Sequence, residues 1–282
     1  MARRNLPGLR VIITGASQGI GRALVLEAAK RGCKVIAAAR SQRLLDELAA
    51  DAAKAGTPIG TVAADITKPE DRAAMVAASA AQLGGMDVLV NNAGIGATGH
   101  FVDSEPAVLR QIFETNFFGL TETTRAFLPL LKQGRTPAIV NISSVIGKRA
   151  IPGRSLYASS KFAVMGFSEA IRAELAKDGI DVLVVSPGLT QTNFSKNMLE
   201  QKAKVQLDHL RGMTSEQVAV ATLKAVERGR LDTTLTLQGK LLLLVNRFAP
   251  WIIDRVTKKK VRQLFADEIA QRKRQADAAP GS

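Results

Sequence analysis

The sequence predicts an α/β fold, a doubly wound parallel sheet of about seven strands with helices on both faces. Three observations carry that prediction. Short β-branched runs alternate with longer alanine-rich stretches along most of the 282 residues. The strand runs are apolar almost throughout, as strands covered on both faces must be. A glycine-rich loop joins the first strand to the first helix.

Taken in order, "LRVIIT" (9–14) precedes the helical "IGRALVLEAAKRG" (20–32), whose Gly32 falls at a C-cap. "KVIAAAR" (34–40) leads into "SQRLLDELAADAAKAG" (41–56), where Ser41 stands at an N-cap. "IGTVAAD" (59–65) is followed by a helix from Pro69 to Leu83, a proline being favoured in the first turn. "MDVLVNN" (86–92) precedes a long helical region between Glu105 and Lys132. "PAIVNISS" (137–144) leads to a helix from near Ser155 to near Asp178, with Gly179 at its end. "IDVLVVS" (180–186) is followed by a loop, a helix near 214–229 and a last strand "TTLTL" (233–237). No linker interrupts this series, so residues 1–237 read as one domain and 238–282 as a C-terminal extension.

Composition narrows the function classes. A single cysteine, Cys33, forbids an intrachain disulfide and suits a reducing cytoplasm. The two histidines, His100 and His209, lack companions at metal-ligand spacing, so no metal is expected. The start has the charge of a secretory signal without its apolar run, and no segment reaches the roughly 18 apolar residues that a spanning helix needs. The expected location is cytoplasmic. The net charge of +14 concentrates at the ends: Arg3, Arg4 and Arg10 at one, and nine cations against four acids in 247–282 at the other. Such charge attracts anionic lipid, nucleic acid or phosphorylated ligands, or serves only solubility. Nucleic acid ranks last, because aromatics make up 4% of the chain and no stacking surface is interleaved with the charge.

The loop "TGASQGIG" (14–21) has two chemical readings. In one, Gly15, Gly19 and Gly21 let the backbone turn tightly and approach a pyrophosphate, which meets the free N–H groups of the helix N-terminus. In the other, "GASQG" is a nucleophile elbow and Ser17 attacks an ester, with the late His209 as base. The first is favoured, since the second leaves every other motif as coincidence. At the end of the second strand stands Arg40, followed by Ser41, where sites for the unphosphorylated dinucleotide carry an acid. A guanidinium pairs with a 2′-phosphate, so NADP(H) is preferred, with NAD(H) possible.

The only tyrosine, Tyr157, lies in "SLYASSK" four residues before Lys161, and so on the same helical face. A chain with ten phenylalanines needs no tyrosine for packing, so the hydroxyl is the point.

With "NNAG" (91–94), Asn116 in "ETNFFG", "NISS" (141–144), "YASSK" (157–161) and "SPG" (186–188), the chain resembles the short-chain dehydrogenase/reductase family over residues 9 to about 237. The resemblance implies an NAD(P)-dependent Rossmann-type oxidoreductase that interconverts a carbonyl and a secondary alcohol by hydride transfer. It implies a catalytic tetrad of Asn116, Ser144, Tyr157 and Lys161. Ser144 is preferred to Ser143 because it lies thirteen positions before Tyr157. It assigns nucleotide contacts to Gly15, Ser17, Gln18, Gly19, Ile20 and Gly21 in the loop, to Asp65 and Ile66 at the adenine, and to Asn91, Ala93 and Gly94. It adds Tyr157 and Lys161, and Pro187, Gly188, Thr190 and Thr192 at the carboxamide. Gln18 stands where many NADP-specific members carry a cation, a departure that weakens the preference without reversing it. A homo-dimer or homo-tetramer is implied.

In that setting the Lys161 ammonium and an oxidised nicotinamide are expected to lower the Tyr157 pKa from about 10, letting the phenol act as general acid or base. Asn116 would position a water joining Lys161 to solvent. A nucleotide-binding scaffold with little turnover is the rival, and an intact tetrad argues against it. Phe194, Met198, Leu199 and Val205, opposite "GIGATGHF" (94–101), read as an apolar lid over a hydrophobic ketone or alcohol. The extension joins an apolar run to Lys258–Lys260, with Val261, Leu264, Phe265 and Ile269 at helical spacing. It is either an arm packed on the body, the slightly favoured reading, or a helix resting on anionic lipid. The last residues, 274–282, are expected to be disordered.

Overall fold

The computed structural model describes residues 3–191, 194, 198–201, 212–266 and 270. The chain runs β1 (Arg10–Thr14), α1 (Gly19–Lys30), β2 (Lys34–Ala39), α2 (Gln42–Lys54), β3 (Gly60–Ala63), α3 (Pro69–Leu83) and β4 (Val88–Asn91). It continues through α4 (Pro106–Phe113), a wider π-type turn (Glu114–Gly119), α5 (Leu120–Leu131), β5 (Ala138–Ile142), α6 (Ser155–Glu174) and β6 (Asp181–Ser186). Two short strands, β7 (Thr190–Gln191) and β8 (Met213–Thr214), pair with each other, and α7 (Ser215–Glu227) and β9 (Asp232–Thr234) follow. Last come α8 (Leu237–Phe248) and α9 (Pro250–Leu264).

Seven strands form one parallel sheet in the order β3-β2-β1-β4-β5-β6-β9. The order reverses between β1 and β4, which opens a crevice beyond the carboxyl ends of those strands. Alternate strand residues serve opposite layers. Val11, Ile13 and Ala37 pack with Leu24 and Val25 of α1, Leu45 and Leu48 of α2, and Leu223 of α7. Ile12, Ile36 and Leu89 pack against Met75 of α3 and Phe127 and Leu131 of α5. Both sets are buried, and this is why the strands read as continuous apolar runs.

Two expectations are revised. The last strand ends at Thr234, and Leu237 already belongs to α8, because the Thr236 hydroxyl caps that helix by accepting from Gly239 N at 3.1 Å. Two of the three N-terminal cations, Arg4 and Arg10, are engaged within the fold, while Arg3 is exposed. Arg4 is buried, donating to the carbonyls of Thr136 and Pro137 and pairing with Asp181 at 2.7 Å. Arg10 pairs with the fully buried Asp87 at 2.7 Å. Both arginines tie together the amino-terminal ends of inner strands, β1 with β4 and β5 with β6.

The extension packs on the body. Arg149 donates to Asn246 of α8 and Asp254 of α9, Ile253 is buried, and Phe265 meets His100 edge-on at 4.6 Å. Ala249 and Pro250 break the apolar run into two helices, and no helix among the described residues is long and apolar enough to cross a membrane. Ile269 and residues 274–282 lie outside the described residues.

Candidate active site

A cavity of about 610 Å³ occupies the crevice at the strand ends. Its floor is the turn between β1 and α1. Gly15 adopts φ +63° there, and a side chain on it would place Cβ 2.6 Å from the Ala93 Cα, so only glycine fits. The Thr14 hydroxyl accepts from the Asn92 and Ala93 amides at 3.1 and 3.2 Å, and Asn92 Nδ2 donates to the carbonyls of Thr14 and Gly15. These bonds lock β1 to β4 beneath the cavity. α1 starts at Gly19 with no side-chain cap and no acid in its first turn, leaving amide donors and a positive dipole end at the cavity. Gly15, Ser17, Gln18, Gly19 and Ile20 all line it. This cradle fits a pyrophosphate.

The cavity extends in both directions from the cradle. Toward β2 and β3 it is lined by Arg40, Ser41, Asp65 and Ile66. Arg40 is exposed and makes no ion pair among the described residues, while Asp65 Oδ1 accepts from the Thr67 amide and hydroxyl. Toward β5 and β6 it is lined by Ala93, Gly94, Pro187, Gly188 and Thr190. Thr192 and Val205 lie outside the described residues.

At this second end stand Ser144, Tyr157 and Lys161. Ser144 follows β5 and hydrogen-bonds the Tyr157 phenol, whereas the Ser143 hydroxyl is turned toward the Lys161 carbonyl at 3.4 Å. Lys161, one turn along α6, is buried and donates from Nζ to the Ile142 carbonyl at 2.9 Å, its charge 5.8 Å from the Tyr157 ring centre. No histidine is among the described residues that line the cavity, and His209, the base that the hydrolase reading of Ser17 calls for, lies outside the described residues.

A glycine cradle and a Ser–Tyr–Lys group thus share one cavity on a doubly wound sheet, and residues 10–203 match the family model for short chain dehydrogenase. The chain belongs to the short-chain dehydrogenase family. It is accordingly an NAD(P)-dependent oxidoreductase. It is 34% identical to the uncharacterized oxidoreductase YxnA of Bacillus subtilis, over 88% of this chain and 71% of that one. It is also 34% identical to dehydrogenase/reductase SDR family member 7B of Bos taurus, over 90% and 81%. Ketoacyl reductase HetN of Nostoc is 31% identical over 89% and 88%. Among solved structures, a short chain dehydrogenase from Burkholderia cenocepacia in complex with NADP superposes with a TM-score of 0.76 and 26% identity, covering 90% of this chain and 99% of that one.

Three of the residues assigned to this short-chain dehydrogenase's site stand elsewhere. Asn91 points away from the cavity, donating to Thr124 and to Asn141 at 2.9 Å, and its neighbour Asn92 takes the place at the wall. The period of a strand explains this: adjacent side chains face opposite layers. Gly21 does not line the cavity either. A Cβ there would lie 2.2 Å from the Gly15 carbonyl oxygen, so it sets the approach of α1 to the turn. Asn116 is fully buried in the π-type turn. It accepts from the Ile95 amide at 2.8 Å and donates to the Ile95 carbonyl and Ser160, bracing the loop under Gly94.

The electrostatics differ as well. Burial pushes the Tyr157 phenol up to about 12, with the Ser144 hydrogen bond and the nearby Arg154 charge pulling the other way. Burial also pulls Lys161 down to about 8. Desolvation therefore outweighs the expected help from the ammonium.

Other residues at the wall were not picked out from the sequence. Arg149 and Arg154 line the cavity, as do Gln238 and Leu242 from α8. A signal for Arg154 existed, since it stands three residues before Tyr157 on the same helical side. The lid residues Phe194 and Met198 close over Gly96, where a Cβ would lie 2.8 Å from the Phe194 ring. The two loops are joined by bonds from the Leu199 amide to the Gly96 carbonyl and from the Thr98 amide to the Glu200 carbonyl.

Proposed function

We propose that this short-chain dehydrogenase uses NADP(H) to interconvert a carbonyl and a secondary alcohol on a substrate with an apolar body. The observation that carries the reading is the sharing of one cavity by the pyrophosphate cradle and the Ser144–Tyr157–Lys161 group. The nucleotide, when bound, supplies or takes up the hydride. Tyr157 holds the proton that passes to or from the substrate oxygen. Ser144, already in hydrogen-bond contact with the phenol, donates to that oxygen as negative charge develops on it. Lys161 holds a positive charge beneath the ring and favours phenolate once the cavity is filled. Arg40, exposed at the far end, forms paired bonds with a 2′-phosphate, which favours NADP over NAD. Ile151, Phe194, Met198 and Leu242 give the substrate its apolar surroundings.

The test is a panel of ketones and secondary alcohols followed by NADPH absorbance, run on the wild type and on Tyr157→Phe. Loss of the phenol is expected to lower kcat by about 10²–10⁴ for every accepted compound, as removal of a general acid does. NADPH affinity should stay within twofold. Undiminished turnover in Tyr157→Phe would overturn the role given to that proton.

A further inference from the structure

Among the described residues, the substrate half of the cavity carries positive charge that no acid lining it balances. Five charged residues among those described line the cavity, and the one acid among them, Asp65, sits at the adenine end with its carboxylate engaged by Thr67. Around Tyr157 the charged groups among the described residues of the wall are Arg149, Arg154 and Lys161. Two of them are occupied: Arg149 pairs with Asp254 and bonds Asn246, and Lys161 bonds the Ile142 carbonyl.

Arg154 is different. It is 8% exposed, yet among the described residues no acid pairs with it. The one bond its guanidinium makes with them is to the Met198 sulfur at 3.6 Å, a weak acceptor. Its position is fixed. The Gly153 carbonyl accepts from the Gly99 amide at 3.1 Å, and the Arg154 carbonyl accepts from Ala158 at 2.8 Å in the first turn of α6. Taking a guanidinium out of water without a partner costs several kcal/mol. A fold that holds one rigidly at a cavity wall, one helical turn from the proton donor, has the form of a receptor for an oxyanion.

We propose that Arg154 binds an anionic group, a carboxylate or a phosphate monoester, carried by the substrate close to its reacting carbon. The substrates are then hydroxy and oxo acids, or the corresponding phosphate esters, with an apolar chain between Ile151, Phe194, Met198 and Leu242. This deepens the activity proposed above and rests on it. Met198 and Phe194 cover the chain, and Arg154 fixes the register in which the reacting carbon meets Tyr157.

The experiment uses the full chain loaded with NADP+, as wild type, Arg154→Met and Arg154→Lys. Oxidation of 2- and 3-hydroxydecanoate is compared with that of their methyl esters. Calorimetry compares decanoate, decyl phosphate and decanol as ligands of the same loaded protein. The acid-to-ester ratio of kcat/KM is expected to be about 10 to 100 in the wild type, the range of a hydrogen-bonded charge pair. It should fall to near one in Arg154→Met through KM for the acid, and be partly kept in Arg154→Lys. Using the ratio cancels any effect of Arg154 on the phenol, which would touch acid and ester alike.

Decanoate or decyl phosphate should bind at least tenfold more tightly than decanol, and lose that margin in Arg154→Met. The tighter of the two names the oxyanion. A wild-type ratio near one, or equal falls for acid and ester, overturns the proposal. If no compound turns over, the activity reading fails, and calorimetry still decides this one: anions that bind no better than decanol refute it. NADP+ affinity and the thermal midpoint of each variant show whether it has folded.

Discussion

The body of this short-chain dehydrogenase and its C-terminal arm are built from the same apolar residues, and water reaches them very differently. In β1 and α1, Ile12, Ile13, Leu24 and Val25 are completely buried. In α8 and α9, Leu237, Phe248 and Trp251 are 81%, 75% and 62% exposed. The strand residues lie on a strand paired on both sides and covered by helices on both faces, so they and the α1 residues packed on them each have a partner layer. The arm has no second layer among the described residues. It is held by a capping threonine, the Arg149 bonds to Asn246 and Asp254, and a few contacts around Gly239 and Ile253. Burial therefore stabilises the body, at about 25 cal/mol per Å² of apolar surface. What the arm contributes is position, since Gln238 and Leu242 complete the cavity wall.

Glycine substitutions give the largest separation of the two regions. At Gly21 a Cβ would lie 2.2 Å from a backbone carbonyl, while at Gly239 the nearest atoms are side-chain atoms of Thr236 and Val145 at 2.7 and 2.8 Å. Gly21→Val should lower NADPH affinity more than 100-fold and cost about 3 kcal/mol or more in urea unfolding. Gly239→Ala should cost less than half of that and leave NADPH affinity within twofold. Equal effects would remove the distinction between body and arm.

Next in size is the cofactor end of the body. Arg40→Asp should shift the ratio of NADPH to NADH affinity by about 10- to 100-fold toward NADH, measured by calorimetry. An unchanged ratio would mean that the guanidinium does not meet the phosphate.

A smaller effect sharpens the account of Lys161. Its pKa falls from 10.5 in the unfolded chain to about 8 in the native one. Between those values the unfolded chain holds a proton that the native chain has released, so this residue makes stability rise with pH across the window. The unfolding free energy of the wild type minus that of Lys161→Met should therefore increase from pH 7.5 to pH 9.5. A flat difference would show that burial does not penalise the ammonium. The rise of Tyr157 from 10 to about 12 acts with opposite sign and only above pH 10.

The smallest effect belongs to the arm. The Arg149–Asp254 pair is partly exposed, so Asp254→Ala should change stability by less than about 1 kcal/mol. KM should nevertheless rise a fewfold as the wall loosens. A large loss of stability with KM unchanged would give the arm the role of the core.

How much of this was legible in the sequence follows the same division. The strand and helix runs lie within a few residues of the observed elements, because both faces of the sheet are buried and local pattern and tertiary partner agree. The glycine loop, Tyr157 and Lys161 were legible because spacing along one turn or one helix fixes their neighbours. Asn91 was misassigned because a motif names a segment, and only the strand's alternation decides which of two asparagines faces the cavity. The start of α8 was read as strand because "TTLTL" is β-branched, and the cap at Thr236 overrides that propensity. The raised Tyr157 pKa was not legible, since sequence shows the neighbouring charge and hides the desolvation. Arg154 went unremarked for the same reason, burial being what turns an ordinary arginine into an unbalanced charge.

The central claim is that one cavity brings the nucleotide and the substrate carbon together beneath the Tyr157 phenol. It is tested most directly by a single turnover with NADPH deuterated at the transferable position of C4. The alcohol formed should carry the deuterium on its carbinol carbon, with a primary isotope effect on the step, and Tyr157→Phe should slow the step at saturating nucleotide. A product free of deuterium, with the label released to water or kept on the nucleotide, would contradict the account.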